Sequence, residues 1–73
     1  MSTGMATRLQ DTFGERVRAR RLILEWTQAE LSEKTGIGQK EISEIELGQH
    51  SPTLKTVEKL AKALEIDASK LLR

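Results

Sequence analysis

Cysteine and tyrosine are absent from this chain, and proline, histidine, phenylalanine and tryptophan each occur once in its 73 residues. Without cysteine, neither a disulfide nor a thiolate metal site can hold the fold, and the absence fits a reducing, intracellular setting. The single histidine, His50, excludes a histidine-cluster metal site and argues against histidine-based catalysis. No apolar run approaches the roughly 20 residues of a membrane-spanning helix, and the chain does not open on a secretory signal pattern. It also lacks a glycine-rich phosphate loop and a nucleophile–base–orienter set, so no reaction class can be assembled. These absences point away from an enzyme, a metal or cofactor protein and a membrane protein, and toward a cytoplasmic domain. At this length it is one domain, near the lower limit at which burial alone stabilises a fold.

The net charge of +1 says little, but its distribution says more. Residues 1–24 carry +3, residues 25–50 carry −4 and residues 51–73 carry +2. Such a basic–acidic–basic chain presents a positive face only if its acids point elsewhere.

Hydrophobic periodicity and capping residues predict five helices, no strand and no internal repeat. Residues 1–10 are small, polar and aperiodic. They read either as a flexible tail, in which Met5 offers an alternative start, or as a basic arm carrying Arg8 to a minor groove. The domain proper is expected over 11–73. A first helix over Asp11–Leu24, capped by Asp11 or Thr12, puts Phe13, Val17 and Leu24 on one side, and Leu22 or Ile23 is expected to pack against the C-terminal part. Glu25 ends it where glycine would be more comfortable, and Trp26 is expected to plug the core. Thr27 and Glu30 form a T-x-x-E capping box that starts a second helix, and Gly36 stops it. After Gly36-Ile37-Gly38, a third helix over Gln39–Leu47 buries Ile42 and Ile45 and turns Lys40, Ser43, Glu44 and Leu47 outward, ending at Gly48. Pro52 and its neighbours suit the start of a fourth, strongly amphipathic helix. Its inner side is Leu54, Val57, Leu60, Ala61 and Leu64, and Lys55, Lys59 and Lys62 lie outside. Ile66 anchors the next turn, and Asp67 caps a last short helix, Ala68–Leu72, that contributes Leu71 or Leu72 to the core.

Two charges sit on the inner sides of this plan. At about 100° per residue, Arg21 lies some 40° from Val17, and Glu46 some 40° from Ile42. A lone buried charge costs several kcal/mol, so the two are expected to pair through charge-assisted hydrogen bonds, tying the first helix to the end of the third. The competing arrangement has each snorkelling separately to solvent.

Several segments together carry a resemblance. They are Phe13-Gly14-Glu15-Arg16-Val17-Arg18 with Arg21, Trp26-Thr27-Gln28-Ala29-Glu30-Leu31, Gly36, Ile42-Ser43-Glu44-Ile45-Glu46-Leu47-Gly48, and Pro52-Thr53-Leu54 with Leu60-Ala61-Lys62-Ala63-Leu64. In this order and spacing they resemble the phage repressor and Cro-like (Xre-type) helix-turn-helix family over about Thr12–Leu72. The resemblance implies an all-α, five-helix, lambda-repressor-like DNA-binding domain, bacterial or phage-type and nucleoid-associated. Helices 2 and 3 would form the helix-turn-helix, and a homodimer would bind a palindromic double-stranded operator. It implies base reading by Gln39, Lys40, Ser43 and Glu44, and phosphate contacts by Thr27, Gln28, Gln49, His50 and Lys55. The family's Arg–Glu bridge falls on Arg21 and Glu46. Its usual dimer surface falls on Pro52, Ile66, Ala68, Leu71 and Leu72, only some of which can be core. No cofactor and no metal is implied.

This chain departs from the family pattern at Leu47, where a polar or basic residue is frequent, at Glu25 for glycine and at Ser32 for alanine. It also brings Glu41, Glu44 and Glu46 against Lys40 alone in helix 3. The acidic helix keeps a second function open, a protein-interaction module or antitoxin that retains the fold with weak or no DNA binding and takes a toxin or other protein as partner. Operator sequence, regulated genes and effector are not readable from the chain.

Overall fold

The computed structural model describes residues 9–72, so the arm carrying Arg8 and the alternative start at Met5 lie outside the described residues. Five helices follow one another: α1 (Leu9–Ile23), α2 (Gln28–Thr35), α3 (Gln39–Glu46), α4 (Leu54–Leu64) and α5 (Ala68–Leu72). No strand occurs among the described residues. α1 begins at Leu9, two residues before the expected start, so Asp11 and Thr12 lie inside the helix and do not cap it. Leu and Gln are good helix formers, and nothing in Leu9-Gln10 interrupts the helical backbone.

α1 leans on α3 through Gly14. A Cβ there would overlap the carbonyl oxygen of Ile45, so the two backbones approach as closely as glycine alone permits. Past Ile23 the chain turns through Glu25, which adopts the left-handed conformation with φ 62°. The Trp26 amide donates back to the Arg21 carbonyl at 3.0 Å. A non-glycine residue held there costs about 1 kcal/mol.

Both bonds of the capping box form at the start of α2. The Glu30 amide donates to Thr27 Oγ1 at 3.0 Å, and the Thr27 amide donates to Glu30 Oε1 at 2.8 Å. Gly36, at φ 76°, ends the helix. The turn to α3 is pinned from within. The Ser32 hydroxyl donates to the Ile37 carbonyl, the Thr35 hydroxyl donates to the Leu31 carbonyl at 2.8 Å, and the Ile37 amide donates to Thr35 Oγ1 at 3.1 Å. The angle between α2 and α3 is thereby set by side-chain bonds as well as by packing.

Thr53 caps α4 by accepting from the Thr56 amide at 3.2 Å. At the other end Arg20 donates to the Leu64 carbonyl at 2.9 Å and the Glu65 carbonyl at 3.4 Å, a cation placed on the negative end of the helix.

The core is Phe13 and Val17 from α1, Leu31 from α2, Ile37, Ile42 and Ile45 from α3 and its approach, Val57, Leu60, Ala61 and Leu64 from α4, and Leu71 from α5. Three expectations about it fail. Leu54, expected inside, is 69% exposed, because the first residue of α4 precedes the turn that reaches the core. Leu22 and Ile23 stay out of the core, since the inward stripe runs from Val17 through Arg21 to Leu24, and Ile23 meets the C-terminal part only along an open groove shared with Ile66 and Lys70. Trp26 is half-buried at the edge of the core and does not plug it.

Candidate nucleic-acid interface

The inner side of α3 is tied down by one compact polar network. Arg21 Nε donates to Glu46 Oε2 at 2.7 Å and Arg21 Nη2 to Glu46 Oε1 at 2.9 Å, a bidentate pair with both residues buried. The remaining arm of the guanidinium, Nη1, donates to the Trp26 carbonyl at 2.8 Å, and Gln28 Nε2 donates to Glu46 Oε1 at 3.1 Å. Two ions withdrawn from water are stable only when their remaining hydrogen-bonding capacity is also met, which Trp26 and Gln28 provide here. The hydrogen bond to Glu46 holds the Arg21 pKa above its ordinary value. The arginine is charged through the neutral range with or without that shift, and the stability linked to the shift, complete below the ordinary value, is lost only as pH climbs past it.

With the inner side fixed, α3 turns its other side outward. Gln39 and Lys40 are exposed on the first turn, and Ser43 and Glu44 are half-exposed one turn on. The helix starts at Gly38 without a side-chain cap, so its first amides are open at the same end. Thr27 and Gln28 stand at the start of α2, and Gln28 is joined to the end of α3 through Glu46. The bond to Glu46 uses one N–H of the Gln28 amide and leaves the second. Thr27 Oγ1 accepts from Glu30, which leaves its hydroxyl hydrogen to donate. Gln49 and Lys55 are exposed on either side of the turn between α3 and α4, and the Gln49 amide donates to the Glu44 carbonyl at 2.8 Å.

His50 does not stand free in that turn. Its Nε2 lies 3.3 Å from Glu41 Oε2, with both side chains about 40% accessible, so it meets a carboxylate of α3 first. Sequence spacing gave no sign of this contact, which depends on how the turn folds back on α3, nor of the bond between Gln28 and Glu46, which depends on how α2 and α3 cross.

The five residues expected at a dimer surface separate into three groups. Leu71 is fully buried in the chain's own core and is unavailable to a second copy, because α5 packs on α1 and α4 with that side chain inward. Ile66 and Ala68 are half-buried against the same core, Pro52 is half-buried as well, and Leu72 alone of the five is exposed. Leu47 and Leu54, 66% and 69% exposed at the two ends of the α3–α4 turn, are apolar surface; helical periodicity had turned Leu47 outward but Leu54 inward.

Among the described residues no group of three or more His, Asp or Glu side chains is placed to hold a metal ion. Nor is any helix among them long and apolar enough to cross a membrane.

Residues 17–71 match the helix-turn-helix family HTH_3. An immunity repressor protein of Bacillus phage phi105 is 34% identical over 61 residues, covering 84% of this chain and 42% of the repressor. The chain thus spans less than half the length of that relative. The restriction-modification controller protein C.AhdI from Aeromonas hydrophila superimposes with a TM-score of 0.82 at 31% identity, over 85% of this chain and 94% of the controller. The P22 c2 repressor protein, solved in complex with a synthetic operator, superimposes with a TM-score of 0.81 at 36% identity, over 92% of this chain and 97% of the repressor.

Proposed function

The chain belongs to the helix-turn-helix family HTH_3, and from that membership we propose that it is a sequence-specific transcription regulator. In this reading it binds palindromic double-stranded DNA as a homodimer and lays α3 in the major groove. The observation that carries the reading is the division of α3 into a side locked by Ile42, Ile45 and the Arg21–Glu46 pair and an outward side of Gln39, Lys40, Ser43 and Glu44. A helix used to read bases has to be immobile on one side and polar on the other. Lys40 suits guanine O6/N7, Gln39 suits a bidentate pair with adenine, Glu44 accepts from cytosine N4, and Ser43 serves either.

Phosphates are met by Thr27 and Gln28 with the first amides of α2, and by Gln49 and Lys55 across the α3–α4 turn. His50 is the weakest of this group, since Glu41 competes for it. For the second copy, half-buried Pro52 and exposed Leu72 are joined by Leu47 and Leu54 as the apolar surface, and Leu71 is withdrawn. The operator complex of the P22 c2 repressor supports this reading by likeness. The relative from phage phi105 supports repression as the sign of regulation.

The half-exposed Glu41 and Glu44 favour a second reading, a protein-interaction module or antitoxin whose acidic α3 faces another protein. Selection of bound sequences from a random duplex library separates the two. A palindrome with half-sites about one helical turn apart, bound with an affinity that falls steeply with salt, is expected for the regulator. No duplex binding at low salt overturns that reading in favour of the interaction module.

A further inference from the structure

A concavity of about 420 Å³ lies between the last turn of α2 and the C-terminal part of α4, lined by Trp26, Lys34, Lys59, Lys62, Ala63 and Glu65, with Thr35 at its edge. Its volume falls in the range of small-molecule sites, roughly 300–1,000 Å³. None of the residues assigned above to bases, phosphates or a second copy lines it.

Its charge is one-sided. Three lysines and one glutamate line it, and among the described residues neither Lys59 nor Lys62 has an ion-pair partner. Lys34 sits over the Trp26 ring, 4.5 Å from its centroid. A cation in the last turn of a helix is ordinarily explained by the helix's negative end, and that accounts for Lys34 and Lys62. It does not account for Lys59, which stands one turn earlier on the same face as Lys62, where like charges repel each other. A ligand of opposite sign relieves that repulsion.

The donors also speak to the ligand's chemistry. No arginine fork, which would clamp a carboxylate or phosphate in a fixed plane, lines this site; its lysines are compact point charges, a common way of holding the several oxygens of a phosphoryl group. Ala63 and the edge of Trp26 supply an apolar wall. We propose that this concavity binds a small phosphorylated molecule carrying at least two negative charges, held by Lys34, Lys59 and Lys62 with its body against Ala63 and Trp26.

Trp26 is the only tryptophan of the chain, so its emission reports on this site alone. The experiment titrates the full chain, without DNA, with inorganic pyrophosphate, ADP and citrate, following emission and heat. Saturable binding of pyrophosphate and ADP at one equivalent, weakening as salt rises, is expected. A Lys59→Gln/Lys62→Gln variant that melts like the parent should bind about tenfold more weakly or worse, the equivalent of losing one charge-assisted contact. The proposal is overturned by the absence of saturable change at millimolar ligand, or by equal binding in that variant. Citrate binding as tightly as pyrophosphate removes the phosphoryl assignment. Displacement of ADP by short duplex DNA makes the site part of a DNA interface and overturns the proposal. Because the titration contains no DNA until that last step, it stands or falls separately from the operator-binding reading.

Discussion

Glu46 and Glu41 belong to the same helix and have the same side chain, yet they live in different solvents. Glu46 is 7% exposed and takes three hydrogen bonds, two from Arg21 and one from Gln28. Glu41 is about 40% accessible and has His50 at 3.3 Å. The first pair holds α1, the start of α2 and the end of α3 in one arrangement. The second spans an exposed turn in water, where an ion pair is worth little. Charge on a helix proposed to meet DNA therefore has to be weighed by burial. One of the three α3 glutamates is scaffold, and under that proposal only the other two would oppose a phosphate backbone.

The sharpest way to break this comparison is to remove one buried partner. Glu46→Ala leaves the Arg21 guanidinium buried and unpaired, and is expected to destabilise the fold by roughly 3–5 kcal/mol. Urea denaturation measures it, and an unchanged midpoint would sink the claim that the pair holds the helices. An Arg21→Met/Glu46→Leu double variant is expected to recover much of the loss, because apolar residues of similar volume remove the desolvation penalty together with the attraction.

Gly14→Ala attacks the same crossing from the backbone side. Its Cβ would overlap the Ile45 carbonyl, so α1 and α3 must separate, at a cost of roughly 1–3 kcal/mol by the usual scale of overpacking. A variant as stable as the parent would show that the helices part freely. On the outward side of α3, Lys40→Ala should leave the denaturation midpoint where it is and weaken binding to a selected operator by roughly 1–3 kcal/mol. Equal loss on every duplex sequence would move Lys40 from base reading to phosphate contact.

This contrast between inner and outer sides also marks what the sequence made legible. Features carried by local chemistry could be read: the T-x-x-E box at Thr27, the stop at Gly36, the stripe of α4 from Val57 to Leu64, and the inward phase of Arg21 and Glu46. The start of α1 was misjudged because Leu9-Gln10 carries no cap and no apolar period, so nothing local separates helix from tail there. Leu54, Leu22 and Ile23 were misjudged because periodicity gives the phase of a stripe but not where packing along it begins and ends. The candidate site was legible as a set of outward positions. Its internal competition, with Gln28 turned to Glu46 and His50 to Glu41, was not, because the first contact forms only when α2 and α3 cross and the second only when the turn after α3 folds back on that helix.

Glu25 tests a smaller term on the scaffold side. Held at φ 62° just after α1, it stands where glycine has no Cβ penalty, and Glu25→Gly is expected to stabilise the chain by about 1 kcal/mol, offset in part by the greater entropy of glycine in the unfolded chain. A rise in melting temperature of several degrees checks it, and a fall would mean that the glutamate side chain contributes more than its backbone strain costs.

The smallest expected change in stability, and the most direct test of the comparison, is Glu41→Gln. The pair it breaks is half in water, so stability should move by no more than about 0.5 kcal/mol, in contrast to the effect of Glu46→Ala. DNA binding should move the other way. Removing a negative charge from the helix proposed to face phosphates, and freeing His50 in the adjoining turn, should tighten binding to any duplex, most at low salt where screening is weakest. Stability and affinity are thus expected to separate cleanly at Glu41. If Glu41→Gln destabilises the fold as much as Glu46→Ala, burial does not sort the two carboxylates. If it leaves affinity unchanged at low salt, that side of α3 does not face the phosphate backbone.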